Sequence, residues 1–132
     1  RASDVPLRDG PILVAEDDEA VRKLVSSVLR ANNYVVLEAK DGAEALQIAS
    51  RNVNSIALVI AVPALPLLSG SRLVERLWIL RPDIGVLYIS ADGDSTGLGA
   101  GGAGVKFLQK PFSVTALLFT VDAMLGRRPQ RA

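Results

Sequence analysis

Few residues in this sequence can do chemistry, and three groups of them stand where strands are expected to end. Glu16-Asp17-Asp18-Glu19 follows the apolar run PILVA, Ser90 closes GVLYIS, and Lys110-Pro111 follows VKFL. Adjacent carboxylates beside an ammonium and a hydroxyl suit a divalent cation and a phosphoryl group. Magnesium takes oxygen ligands, usually one or two carboxylates with several waters, and lysine and hydroxyl donors neutralise phosphoryl oxygens. Taken alone, Glu16 to Glu19 reads as an acid cluster at the positive end of a helix. With Ser90 and Lys110 in place, it reads as part of a site.

A strand that should complete the site ends without chemistry. Ile56 to Gly70, IALVIAVPALPLLSG, begins as a β-favouring apolar run and breaks at Pro63 and Pro66. In an open α/β sheet, ligands lie outside the carboxyl ends of the strands. Here that end is Ala61, Val62, Pro63 and Ala64, with nothing ionisable, and no Asp or Glu occurs between Glu44 and Glu75.

Composition excludes several classes of function. The 132 residues contain no cysteine and no histidine, so disulfides, thiolate metal sites, imidazole bases and phosphohistidine are absent. Fifteen basic and 14 acidic residues give a net charge of +1, which carries no nucleic-acid or membrane signature. Arg127, Arg128 and Arg131 read as a solvated tail or linker stub. No apolar run approaches the roughly 18 residues of a membrane span. The polar opening RASDVPLRDG does not resemble a signal peptide, and a cytoplasmic location is expected. The first residue is Arg, so the chain is expected to be a piece of a longer protein.

The elements that position these residues alternate between strand and helix. Strands are expected at Pro11–Ala15, Tyr34–Glu38, within Ile56–Gly70, at Gly85–Ser90 and at Val105–Leu108. Between them run amphipathic helices, the first with Val21, Leu24, Val25, Val28 and Leu29 on one face and a cap at Asp17 or Asp18. Asp41 with Glu44 forms a capping box for the second. Ser69 or Ser71 starts the third, with Leu73, Val74, Leu77 and Leu80 on its apolar face. Ser113 caps the last, which Gly126 ends. Repeated βα units argue a parallel sheet with right-handed crossovers and helices on both faces. One domain is expected over residues 11–126, between tails at 1–10 and 127–132.

Ala91 to Gly104, ADGDSTGLGAGGAG, holds six glycines, so any fourth helix there should be short, frayed or absent. Its GLGAGG matches a dinucleotide-binding pattern but does not open directly from a strand, and it reads as a loop. Trp78 lies off the apolar stripe of the third helix, either exposed as a contact surface or packed on a neighbour.

ILVAEDDEAVRKLV, YVVLEAKDGAEAL, LPLLSGSRLVERL, VLYIS and FLQKPFS together resemble the receiver domain of bacterial response regulators, over about residues 11–126. RPDIGVLYIS and FLQKPFS are especially similar to receivers fused to hybrid sensor histidine kinases. The resemblance implies a three-layer flavodoxin-like (βα)5 fold with strand order 2-1-3-4-5. It implies Glu16 and Asp17 as magnesium ligands, Ser90 as a hydroxyl switch, Phe107 as an aromatic switch and Lys110 as the phosphate-binding lysine. It also implies a Lys110-Pro111 bond that is often cis. Phe107 has a second reading, as plain core.

The sequence departs from the family at the phospho-accepting aspartate. Anchored on Pro66 and Ser69-Gly70, that position is Val62. Phosphoryl transfer needs an in-line oxygen nucleophile, which Val62 lacks. The magnesium ligand is lost with it, so magnesium binding is expected to be weak or absent, and no other cofactor is expected. Lys110 is then expected to pair with Asp17 or Glu16. The expected function is that of a receiver-like, non-enzymatic binding module in two-component phosphorelay signalling. Its expected partners are a sensor histidine kinase, other domains of the same signalling protein, or a second copy in a homodimer. One alternative is a phosphorelay receiver with another acceptor, Ser90 being the nearest hydroxyl. Another is a flavodoxin-like nucleotide- or flavin-binding module.

Overall fold

The computed structural model describes residues 10–90 and 104–126. In chain order the elements are β1 (Ile12–Ala15), α1 (Glu19–Ala31), β2 (Val36–Ala39), α2 (Gly42–Arg51) and β3 (Leu58–Ala61). They continue with α3 (Gly70–Leu80), β4 (Gly85–Ser90), β5 (Val105–Gln109) and α4 (Val114–Met124). The five strands form one parallel sheet in the order β2-β1-β3-β4-β5. The segment Ala91–Gly104, where any fourth helix is expected to be short, frayed or absent, the GLGAGG pattern and the two tails lie outside the described residues, apart from Gly10 and Gly104.

The apolar character of the strands agrees with their places in the sheet. β1 (ILVA) and β3 (LVIA) are buried at every position. Such runs suit a strand covered on both faces, and these two are neighbours at the centre. The edge strands β2 and β5 carry polar residues and are partly exposed. Because β1 connects outward to β2 on one side and β3 lies on the other, the strand order reverses between β1 and β3. That reversal opens a crevice at their carboxyl ends.

Each described helix begins on a side-chain cap. Asp18 accepts from Val21 N, Asp41 from Glu44 N, Ser69 from Arg72 N and Ser113 from Ala116 N. These oxygens satisfy backbone donors that the first turn leaves unpaired. The capping box at Asp41 is offset by one residue, since Glu44 accepts from Lys40 N.

Some local expectations shift. β2 starts at Val36, not Tyr34, because Asn33 takes a left-handed turn (φ 72) that leaves Tyr34 before the strand. Tyr34 is nevertheless buried, and its hydroxyl donates to the buried Asp122 carboxylate of α4. Leu24 of α1 is exposed although its apolar stripe includes it, and so is Leu80 of α3. Leu80 closes α3, and the chain turns away at Arg81 into extended backbone. Trp78 packs on its neighbours: it is half-buried against the core and donates from its indole to Ile84 O at 3.0 Å. No described helix is long and apolar enough to cross a membrane.

Candidate functional site

The fold gathers four of the singled-out positions at the carboxyl edge of the sheet. Glu16 follows β1, Val62 follows β3, Ser90 ends β4 and Lys110 follows β5. Backbone hydrogen bonds tie the strand ends together: Val62 N donates to Ala15 O at 3.3 Å and Lys110 N donates to Ser90 O at 2.8 Å.

Glu16 is the buried centre of this edge, only 4% exposed. One of its carboxylate oxygens accepts from Asp18 N at 3.1 Å, and the other accepts from Lys110 Nζ at 3.1 Å. Of the two acidic residues expected to meet Lys110, Glu16 is the one in contact. Burial pushes the Glu16 carboxyl above its ordinary range; the Asp18 amide and Lys110 oppose this without cancelling it, and Asp17 adds to the rise. Arg22 of α1 donates to Glu16 O at 2.9 Å, fixing the turn from which the carboxylate projects.

Asp17 is exposed, whereas Val62 and Ser90 are buried. Among the described residues, no three His, Cys, Asp or Glu side chains come together in a way that would hold a metal ion. Val62 contributes a buried apolar side chain directly after β3. The Lys110–Pro111 bond is cis, as the resemblance implies.

Phe107 lies within β5, away from the strand ends. It pairs in register with Tyr88 of β4, and the rings stack with centroids 5.6 Å apart and planes at 20°. Phe107 is 41% exposed while Tyr88 is buried. Phe107 is therefore neither plain core nor free of the sheet. The Tyr88 hydroxyl is pushed up to about 12 by burial, with the Glu75 charge adding to the effect. Tyr88 and Arg22 were not anticipated from the sequence. Tyr88 could have been found by aligning GVLYIS with VKFL as neighbouring strands; Arg22 carries no sequence signal.

The sequence matches the response regulator receiver domain family over residues 12–122. It is 33% identical over 120 residues to the sensor kinase CckA of Brucella abortus, covering 89% of this chain and 13% of that protein. It is 35% identical over 125 residues to the transcriptional regulatory protein PrrA of Mycobacterium tuberculosis, covering 92% of this chain and 52% of that protein. The chain thus spans about half, or much less, of these relatives. Among solved structures, a receiver domain of Clostridium thermocellum superposes with a TM-score of 0.81 at 26% identity, covering 89% of this chain and 94% of the other. The receiver domain of the hybrid histidine kinase CckA superposes with a TM-score of 0.75 at 35% identity, covering 88% and 99%.

Proposed function

The chain belongs to the response regulator receiver domain family of two-component signalling, and from that premise we propose that it signals without aspartyl phosphorylation, by binding protein partners. The observation that carries this reading is Val62. It stands directly after β3, buried, with no carboxylate between Glu44 and Glu75 to take its place. A receiver accepts a phosphoryl group on an oxygen placed in line with the donor, and a valine side chain offers none.

The surrounding donors support the same reading. A hard divalent cation needs several oxygen ligands. Glu16 has both oxygens engaged, by Asp18 and Lys110, Asp17 points from an exposed turn, and Val62 supplies nothing. This donor set does not fit a resident magnesium ion. The Glu16–Lys110 pair instead acts as a strut between the β1–α1 and β5–α4 loops, holding the edge in one arrangement. No observation favours Ser90 as an acceptor: its side chain is buried, and no described group activates it.

Its partners in this proposal are a sensor histidine kinase or neighbouring domains of the same signalling protein, in the cytoplasm. The test is incubation with acetyl phosphate and magnesium followed by intact mass. An unchanged mass supports the reading, and a stable added phosphoryl group overturns it.

A further inference from the structure

A groove of about 570 Å³ lies between α2 and α3 and is completed by the loop that follows β3. Leu46, Leu67 and Leu68 give it an apolar lining. Its charged lining is Arg51 and Arg76, and no acidic residue contributes. Both arginines are exposed, and among the described residues neither has a carboxylate partner.

Leu67 is an unexpected residue for this place. It is 81% exposed, and its backbone is left-handed, with φ 69. Leu68 N donates to Pro66 O at 2.7 Å, so Leu67 is the centre of a tight γ-turn. Side-chain exposure and backbone conformation both count against a leucine here, and strain of this kind concentrates at functional surfaces. The loop is also held firmly. Gly42 N donates to Pro66 O at 3.0 Å and Gly70 N to Pro63 O at 2.9 Å. A Cβ on Gly42 would stand 1.8 Å from Leu68 O, so only glycine allows the loop to sit this close to α2. The leucine is therefore presented on a fixed support.

We propose that this groove docks an acidic amphipathic helix of a protein partner. An apolar side chain of that helix seats among Leu46, Leu67 and Leu68, and its flanking carboxylates pair with Arg51 and Arg76. An apolar trough with a rim of one charge suits the helix-in-groove mode, and guanidinium groups hold carboxylates through paired donors. The groove shares no residue with Glu16, Val62, Ser90 and Lys110, so the proposal stands whether or not the chain is phosphorylated.

The test is fluorescence anisotropy of the full chain with a labelled helical peptide carrying leucines at i and i+4 flanked by glutamates. A second peptide carries lysines in place of the glutamates. The acidic peptide should bind at least about tenfold more tightly than the basic one, as two favourable charge contacts would give. The double variant Arg51→Glu/Arg76→Glu should reverse that preference. Leu67→Asn, which tolerates the left-handed backbone, should weaken acidic-peptide binding at least about tenfold with no fall in melting temperature. Equal affinity for the two peptides, no binding of either, or binding unchanged in Leu67→Asn would overturn the proposal. So would sedimentation showing a concentration-dependent dimer that Leu67→Asn abolishes, because the groove would then belong to a second copy.

Discussion

Lys110 Nζ stands 3.1 Å from Glu16 Oε1, joining residues 94 positions apart across the carboxyl edge of the sheet. The ammonium is partly exposed and the carboxylate almost fully buried. The buried carboxylate is thus the lysine's partner, which is the arrangement the proposed acceptor-less reading requires.

Lys110→Ala should leave Glu16 with the Asp18 amide as its one remaining carboxylate donor. The expected loss is about 1–2 kcal/mol at neutral pH, reduced from a fully buried pair because the ammonium reaches solvent. Burial raises the folded-state pKa of Glu16. Its ionisation therefore opposes folding as pH rises from the ordinary carboxylate range through the folded value. The penalty of removing Lys110 should be absent while Glu16 is protonated and should grow as pH rises through and above the folded value. Urea unfolding at neutral and acid pH checks this, and adding Glu16→Gln to Lys110→Ala should recover most of the loss.

Glu38 behaves in the opposite sense. Burial pushes its carboxyl up, but the Arg30 hydrogen bond, with Lys23 and Arg22, outweighs burial and lowers it overall. Arg30 and Arg22 approach to 3.0 and 3.3 Å and Lys23 to 3.8 Å. A lowered folded pKa gives stability that is full above the ordinary carboxylate value and lost as pH falls through the folded one. Glu38→Gln should cost about 1 kcal/mol at neutral pH and nothing in strong acid. Thermal melts of both proteins across that range should converge at the acid end.

Leu67→Gly should stabilise the fold. It removes a side chain that is mostly in water and relieves the positive φ. The expected gain is about 1 kcal/mol, seen as a rise in melting temperature. A fall would mean that Leu67 contributes packing to the isolated domain.

Val62→Asp should restore what the edge lacks. A carboxylate at this buried position should lower stability by about 1–3 kcal/mol in metal-free buffer. Magnesium with beryllofluoride should then raise the melting temperature of the variant and leave that of the parent unchanged. No response in the variant would show that Pro63 has also altered the loop geometry.

The sequence carried the fold well because the signals that set it are local. The helix starts at Asp18, Asp41, Ser69 and Ser113 each need one side-chain oxygen and the next turn of backbone. The apolar runs of β1 and β3 mark strands from composition, whereas their order in the sheet is what the family resemblance implies. The positions of Glu16, Ser90 and Lys110 at strand ends follow from the same patterns. What stayed hidden depends on long-range contacts. The choice of Glu16 over Asp17 as partner of Lys110 required knowing which carboxylate is buried. The Tyr34–Asp122 hydrogen bond spans 88 residues, and nothing near either residue announces it. The turn at Leu67 was missed because a leucine is not a residue expected at positive φ.

On the proposed reading, this receiver has no aspartyl phosphoryl acceptor. Intact mass of the parent protein after treatment with acetyl phosphate and magnesium tests it most directly, with an ordinary receiver treated alongside to establish that the reagent works. The predicted result is a phosphorylated control and an unmodified parent. A parent protein that gains one stable phosphoryl group would contradict the account, and the modified residue would identify the acceptor.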